Sequence, residues 1–210
     1  MRKQILIATN NPGKVSELSE LLAGSSIDLI SLADRPGIEE VEETGTTFAA
    51  NAELKAVAYA LQTGCWALAD DSGLEVMALG GRPGVLSARY GGDGTSFPEK
   101  IRLLLDEMAD TKAVDRRGRF VCSIAFASPN GEILFTAEGV CDGVLAETPR
   151  GMGGFGYDPL FIPDGYDKTF AELSPSVKRA ISHRAKAFQE IIPFLRDFEA
   201  VRLDPACSDA

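Results

Sequence analysis

Pro129-Asn130-Gly131 separates two apolar-rich runs, Phe120 to Ala127 and Glu132 to Val140. An Asn-Gly step accepts the positive φ angles of a tight reversal, so these runs are predicted to form a β-hairpin, and any sheet in the protein must contain an antiparallel pair. Upstream the pattern is different. Gln4 to Ala8 is a short apolar run like a buried strand, Thr9-Asn10-Asn11-Pro12-Gly13 is dense in turn residues, and Lys14 to Ala23 places Val15, Leu18, Leu21 and Leu22 at helical spacing. A second helix is expected from Phe48 to Gln62 with Gly64 beyond its end, leading into a strand from Cys65 to Ala69 with Asp70 and Asp71 where it stops. Gly80 to Gly84 reads as a loop, and Ser96 to Met108 as a helix with Pro98 in its first turn. Strand-helix-strand units combined with a hairpin give an α/β fold with a mixed sheet, helices covering it and a cleft beside the strand ends.

Near the C-terminus Ser174-Pro175 has the form of an N-cap followed by proline at the first helical position, and Lys178 lies on the short helix that follows. An unbroken helix would send Lys178, His183 and Arg184 in separate directions, so their convergence on one ligand requires a break. Ser182 can cap a new helix, placing His183 and Arg184 in a first turn whose backbone N–H groups favour anions. Ala185, Phe188, Ile192 and Leu195 then form an apolar stripe, with Pro193 expected to kink or restart the helix.

The 210 residues fit one domain, taken as 1–202, with a polar tail at 203–210 expected to be disordered. There are 21 basic and 31 acidic residues, a net charge of −10, which argues against a broad footprint for a nucleic acid polymer and favours a small phosphorylated ligand. No apolar run approaches the roughly 20 residues that span a bilayer, and Ile5 to Ala8 is too short for a signal peptide, so a cytoplasmic location is expected. Cys65, Cys122, Cys141 and Cys207 are widely spaced, with one histidine in the chain, and read as reduced structural thiols rather than zinc ligands.

Several segments carry chemistry. Asn10 to Lys14 follows a strand and opens a helix, so backbone donors and the Lys14 ammonium can hold phosphate oxygens, although an ordinary turn with a solvated lysine looks the same. It is not a Walker A loop, which needs Gly at the Ala8 position and Ser or Thr at Val15. Asp70 and Asp71 are successive carboxylates, and Glu42 is a second acidic source for a hard cation such as Mg²⁺. For most of Glu39, Glu40, Glu42 and Glu43 a solvated acidic loop is the plainer reading. Asn51 and Lys55 are four apart and share a helix face. Gly153 to Asp158 combines a permissive backbone with a stacking face on Phe155 and an acceptor on Asp158, though an aromatic turn is the plain alternative. His183, beside Arg184, is by itself more typical of a structural hydrogen-bonding residue.

Taken in order, these segments resemble the inosine triphosphate pyrophosphatases, also called the non-canonical purine nucleoside triphosphate pyrophosphatase family. The matching series is Thr9 to Lys14, Glu42 to Phe48, Asn51-Ala52 with Lys55-Ala56, Ala69 to Leu74, Gly84 with Ser87 to Tyr90, Gly153 to Pro159, and Ile181 to Arg184. The resemblance implies a homodimer with an elongated mixed sheet and a substrate cleft between two lobes. It implies Mg²⁺-dependent hydrolysis of ITP, dITP and XTP to monophosphate and pyrophosphate. It further implies that Lys14 and Lys55 hold the triphosphate, that Thr9, Asn10, Asn11, Pro12 and Gly13 bind substrate, that Glu42 and Asp71 serve the metal, and that Asp71 is the proton acceptor. Ser72, Phe155, Gly156, Tyr157, Asp158, Lys178, His183 and Arg184 would complete substrate recognition. Two alternatives stand beside it: a pyrophosphatase for modified pyrimidine or 7-methylguanine nucleotides, and a nucleotide-binding protein without turnover.

Overall fold

The computed structural model describes residues 3–9, 14, 15, 18, 19, 22, 27–35, 37–110 and 115–200. Among these a six-stranded sheet has the order β2-β1-β3-β4-β5-β6, built from β1 (Lys3–Ile7), β2 (Ile27–Ser31), β3 (Trp66–Val76), β4 (Arg117–Ala127), β5 (Ile133–Leu145) and β6 (Phe161–Pro163). β1 runs parallel to both β2 and β3, whereas β5 and β6 are antiparallel, so the mixed α/β class expected from the sequence is what the structure shows. Ile5 and Leu6 are inaccessible to solvent, as befits a strand with a parallel neighbour on each side.

The chain divides into two compact units, one of residues 1–71, 123–138 and 187–210, the other of residues 72–122 and 139–186. In the first, helix α1 (Phe48–Thr63) begins where the Thr47 hydroxyl accepts the Ala50 N–H at 3.1 Å and ends where Gly64, at φ +65°, donates to the Ala60 carbonyl. It lies on the sheet through an alanine layer: Ala52, Ala56 and Ala60 of the helix pack with Ala67 and Ala69 of β3 and Ala125 and Ala127 of β4. Small side chains on both surfaces let the helix come close to the strands. Side chains alternate along a strand, so Trp66 and Phe126 face the other way, into an aromatic cluster with Phe194 and Phe198.

The second unit has its own core, in which Leu74, Leu104, Phe120, Leu145, Leu160, Phe161 and Phe170 are buried and helix α2 (Phe97–Asp110) contributes Ile101, Leu104 and Met108. The expected hairpin turn is present: Ser128 N–H donates to Glu132 O at 2.9 Å and Gly131 adopts φ +84°. The expected helix break is present too. Helix α3 (Pro175–Ile181), capped by Ser174, ends at Ser182, and helix α4 (His183–Ala200) starts there with the Ser182 hydroxyl accepting the Ala185 N–H at 3.2 Å.

Three expectations need correction. β3 does not stop at Ala69 but continues through Asp70, Asp71, Ser72 and Gly73 to Val76; adjacent charges mimic a strand end only when nothing buried compensates them, and here lysines do. α4 does not restart at Pro193 but runs on past it to Ala200; the residue is solvent-exposed, so its ring and missing N–H fall on the side where water can satisfy the backbone. Cys122 and Cys141 are buried thiols outside any disulfide, as expected, whereas Cys65 is disulfide-bonded rather than reduced. The loop at 10–13, most of the helix expected from Lys14 and the tail at 203–210 also lie outside the described residues, although residues 14, 15, 18 and 19 are helical. Among the described residues no helix is long and apolar enough to cross a membrane.

The alanine layer makes a direct prediction. Ala56→Leu forces α1 away from the sheet and is expected to lower stability by ~1–3 kcal/mol, read as a lower urea midpoint with an unchanged slope.

Candidate functional site

The first unit holds a buried charge cluster. Asp70 and Asp71, successive residues of β3, are 6% and 7% exposed. Lys14 pairs with Asp70 (Nζ to Oδ2, 2.6 Å), while Lys55, itself almost buried, lies 2.6 Å from Glu43 Oε1 and 3.5 Å from Asp71 Oδ1. Asn51, one turn before Lys55 on α1, donates from Nδ2 to Asp71 Oδ2 at 3.0 Å and accepts the Gly45 N–H on Oδ1 at 2.7 Å. The shared helix face read from the spacing of Asn51 and Lys55 is therefore turned toward Asp71.

Burial pushes the Asp71 carboxyl above the usual aspartate range; the Lys55 charge opposes this, Glu43 adds to it, and the Asn51 hydrogen bond and Lys14 pull it back. Burial alone would depress the Lys55 ammonium, but Asp71 and Asp70, with the Glu43 contact, outweigh it and hold Lys55 above its ordinary value. Lys55 therefore stays protonated at neutral pH. The result is an oxygen-rich, cation-bearing surface that suits phosphate oxygens and hard cations.

Thr9 follows β1 half-buried, its N–H bonded to Ile7 O at 2.8 Å, and Asn10, Asn11, Pro12 and Gly13 lie outside the described residues. Glu42 is exposed on the loop before α1; it is Glu43 that touches Lys55. Glu43, Asn51 and Asp70 are thus members of the cluster that were not among the residues expected to form a site. Their signals were weak: an asparagine inside a helix where alanine would be more favourable, one glutamate among four, and the first of two aspartates. On α1 a surface cavity of about 300 Å³ opens beside Ala49 and Glu53 and includes none of these residues.

The second unit holds an aromatic and cationic cluster on the turn at residues 153–159. Asp158, 3% exposed, accepts the Phe155 N–H on Oδ2 at 2.7 Å, and the same oxygen meets Lys178 Nζ. Lys178 Nζ sits 4.5 Å from the centre of the Phe155 ring and Arg184 Cζ 5.7 Å from it, both within cation–π range. Phe155 is 47% exposed, a large apolar face presented to solvent. Gly154 has φ +69°, and a Cβ there would lie 2.0 Å from Asp158 Oδ2, so the turn requires glycine. Gly156 also has a positive φ, and Tyr157 anchors the turn from below: its ring is buried edge-on to Phe97 and its hydroxyl donates to Ser87 O at 3.1 Å.

Burial raises the Asp158 carboxyl above its ordinary value, against the lowering effects of Lys178, the Phe155 N–H and Arg184. His183 is buried and stacked on Phe120 at 4.8 Å with an interplanar angle of 12°. Arg184, next in the same helical turn, is the residue directed to Phe155. Ser72, partly exposed, is the first residue of this unit, on β3. The structure therefore gathers Phe155, Asp158, Lys178 and Arg184 into one cluster, and Lys14, Lys55 and Asp71 into another.

Comparison with known proteins gives a consistent result. Residues 5–194 match the Ham1 family. The chain is 49% identical to the dITP/XTP pyrophosphatase of Nostoc sp., in an alignment covering 92% of this chain and 94% of that protein. It is 50% identical to the dITP/XTP pyrophosphatase of Desulforamulus reducens, covering 91% and 95%. A HAM1 protein from Coxiella burnetii has a similar structure, with a TM-score of 0.88 at 40% identity, covering 93% of this chain and 99% of that one.

The charge cluster predicts a pH-dependent defect. Lys55→Met leaves Glu43 and Asp71 facing each other without their cation and is expected to cost roughly 3 kcal/mol at pH 7.5. Loss of Lys55 raises the folded-state Asp71 pKa further above its unfolded value, so the folded variant binds more protons than the unfolded chain. Its stability then falls as pH rises from about 4 toward the raised value, and the deficit should shrink at pH 5. Urea unfolding of both proteins at pH 5 and 7.5 reads this; an equal deficit at both would contradict it.

Proposed function

The chain belongs to the Ham1 family, and from that premise we propose that it hydrolyses ITP, dITP and XTP to the nucleoside monophosphate and pyrophosphate. The observation that carries the reading is the pairing of two successive buried carboxylates with two lysines, Lys14 on Asp70 and Lys55 on Asp71 and Glu43. The relatives named dITP/XTP pyrophosphatase supply the substrate class.

In this reading Lys14 and Lys55 turn from their carboxylates to the triphosphate oxygens, neutralising charge that builds during phosphoryl transfer. Asp71 accepts a proton from water as the water oxygen attacks the α-phosphorus. The bond from the α-phosphorus to the bridging oxygen breaks, and pyrophosphate leaves with that oxygen. The oxygen donors of Asp71 and the loop at 42–45 suit a hard divalent cation. Mg²⁺ would be held by Asp71 and Glu42, with the substrate phosphates completing its oxygen ligands. When bound, Mg²⁺ supplies charge neutralisation on the phosphate oxygens.

The purine stacks on the exposed ring of Phe155, which Lys178 and Arg184 hold in place, and Arg184 or His183 donates to the 6-oxo group. Adenine presents a donor at that position, leaving the protein donor unpaired, which disfavours ATP. Homodimerisation and a cytoplasmic location belong to the same proposal.

Purified protein with Mg²⁺ should release pyrophosphate from dITP and XTP with kcat/KM about 100-fold above that for ATP. Orthophosphate as the product, or equal use of ATP, would contradict the reading. Asp71→Asn should lower kcat by ~100-fold or more with the fold retained by circular dichroism. Phe155→Ala should raise KM for dITP by about tenfold and narrow the preference over ATP.

A further inference from the structure

Asn51 has no solvent exposure, and its amide is committed at both ends. Nδ2 holds Asp71 Oδ2 at 3.0 Å, and Oδ1 holds the Gly45 N–H at 2.7 Å. Packing alone does not account for asparagine here, since its neighbours on the buried face, Ala52 and Ala56, are alanines that place no polar atoms against the sheet. An amide in such a position must find partners for both its oxygen and its nitrogen, which makes its contacts specific.

The two contacts have different consequences. With Oδ2 held by the amide, the Asp71 carboxylate has a fixed rotation and its Oδ1 is directed to Lys55. The contact to Gly45 ties down the loop that carries Glu42 and Glu43. That contact is closely fitted: a Cβ on residue 45 would lie 2.6 Å from Asn51 Oδ1 and 3.0 Å from Ala50 Cβ, so any side chain there forces the loop off the amide.

We infer that Asn51 is a positioning residue for hydrolysis, fixing the Asp71 carboxylate and the acidic loop at residues 42–45 in one arrangement through a single amide. The inference rests on the proposed role of Asp71. The residues nearest to asparagine in shape do not satisfy both contacts. Aspartate would keep the bond to Gly45 but set a second carboxylate oxygen against Asp71, leucine would lose both bonds, and glutamine is one methylene too long for a fully buried slot.

The test compares kcat and KM for dITP, with urea unfolding, in Asn51→Ala, Asn51→Asp, Gly45→Ala and the exchange variant Asn51→Asp/Asp71→Asn. Misplacing a reacting group by about an ångström costs on the order of 100-fold in rate. Asn51→Ala should therefore lose kcat on that order while KM changes less than about threefold. Gly45→Ala, which leaves Asn51 itself intact, should also lower kcat more than it raises KM.

The exchange variant restores a donor opposite an acceptor, now running from residue 71 to residue 51. It should recover the stability lost in Asn51→Asp and stay inactive, because the carboxylate stands on the wrong residue. If Asn51→Ala loses stability with kcat unchanged, or loses kcat only in proportion to its unfolded fraction, Asn51 is structural and the inference fails. Should Asn51→Ala not fold, unchanged kcat in Gly45→Ala overturns the inference alone. Asp71→Asn is the separating control: if it remains active, the assignment of Asp71 is at fault rather than that of Asn51.

Discussion

Two adjacent aspartates in the interior of a β-strand would be strongly unfavourable unless other groups met their charge, and much of the first unit is organised around meeting it. Asp70 and Asp71 are successive residues of β3, whose side chains alternate, and each makes its close contact with a different cation. Lys14, from the helix that follows β1, reaches Asp70, and Lys55, from α1, reaches Asp71. Each lysine must come from an element that lies close to the strand. For α1 that closeness depends on alanines at 52, 56 and 60 against alanines of β3 and β4. The small-residue layer is thus a condition of the charge cluster as well as of packing.

An arrangement of this kind is suited to an anionic ligand. Cations already held beside carboxylates have lost most of their side-chain freedom before a ligand arrives, so a polyphosphate that takes over as their partner orders little further. The turn at residues 153–159 uses a related device. Asp158 is buried, and one of its oxygens holds both the backbone N–H of Phe155 and the ammonium of Lys178. A carboxylate that in isolation reads as a ligand acceptor thereby fixes the direction of an aromatic ring, and the exposure is left to Phe155.

Much of this was legible beforehand where local chemistry decides the outcome. The Asn130-Gly131 turn, the end of α1 at Gly64 and the helix break at Ser182 each depend on residues adjacent in sequence, and each is found where expected. The helical spacing of Asn51 and Lys55 was equally readable, but the face it defines gained meaning only from the strand beneath it. Glu43 could not be told from Glu42 because both precede α1 on the same loop, and a rotation of one residue decides which meets Lys55. The course of β3 through Asp70 and Asp71 is hidden from local sequence for a similar reason: the compensating lysines lie 15 or more positions away. Asp158 reads from the sequence as an acceptor for base N–H groups, whereas its hydrogen bond to its own turn depends on how residues 153–159 fold.

The most direct test of the central claim, that the two lysines exchange buried carboxylates for a triphosphate, is a crystal structure with Mg²⁺ and dITP bearing a non-hydrolysable α,β-imido bridge. The account predicts Lys14 and Lys55 Nζ within about 3 Å of phosphate oxygens, Asp71 beside the α-phosphate and the purine on the Phe155 ring. A bound nucleotide that leaves Lys55 on Glu43 and Asp71, with its phosphates held by other residues, would contradict it.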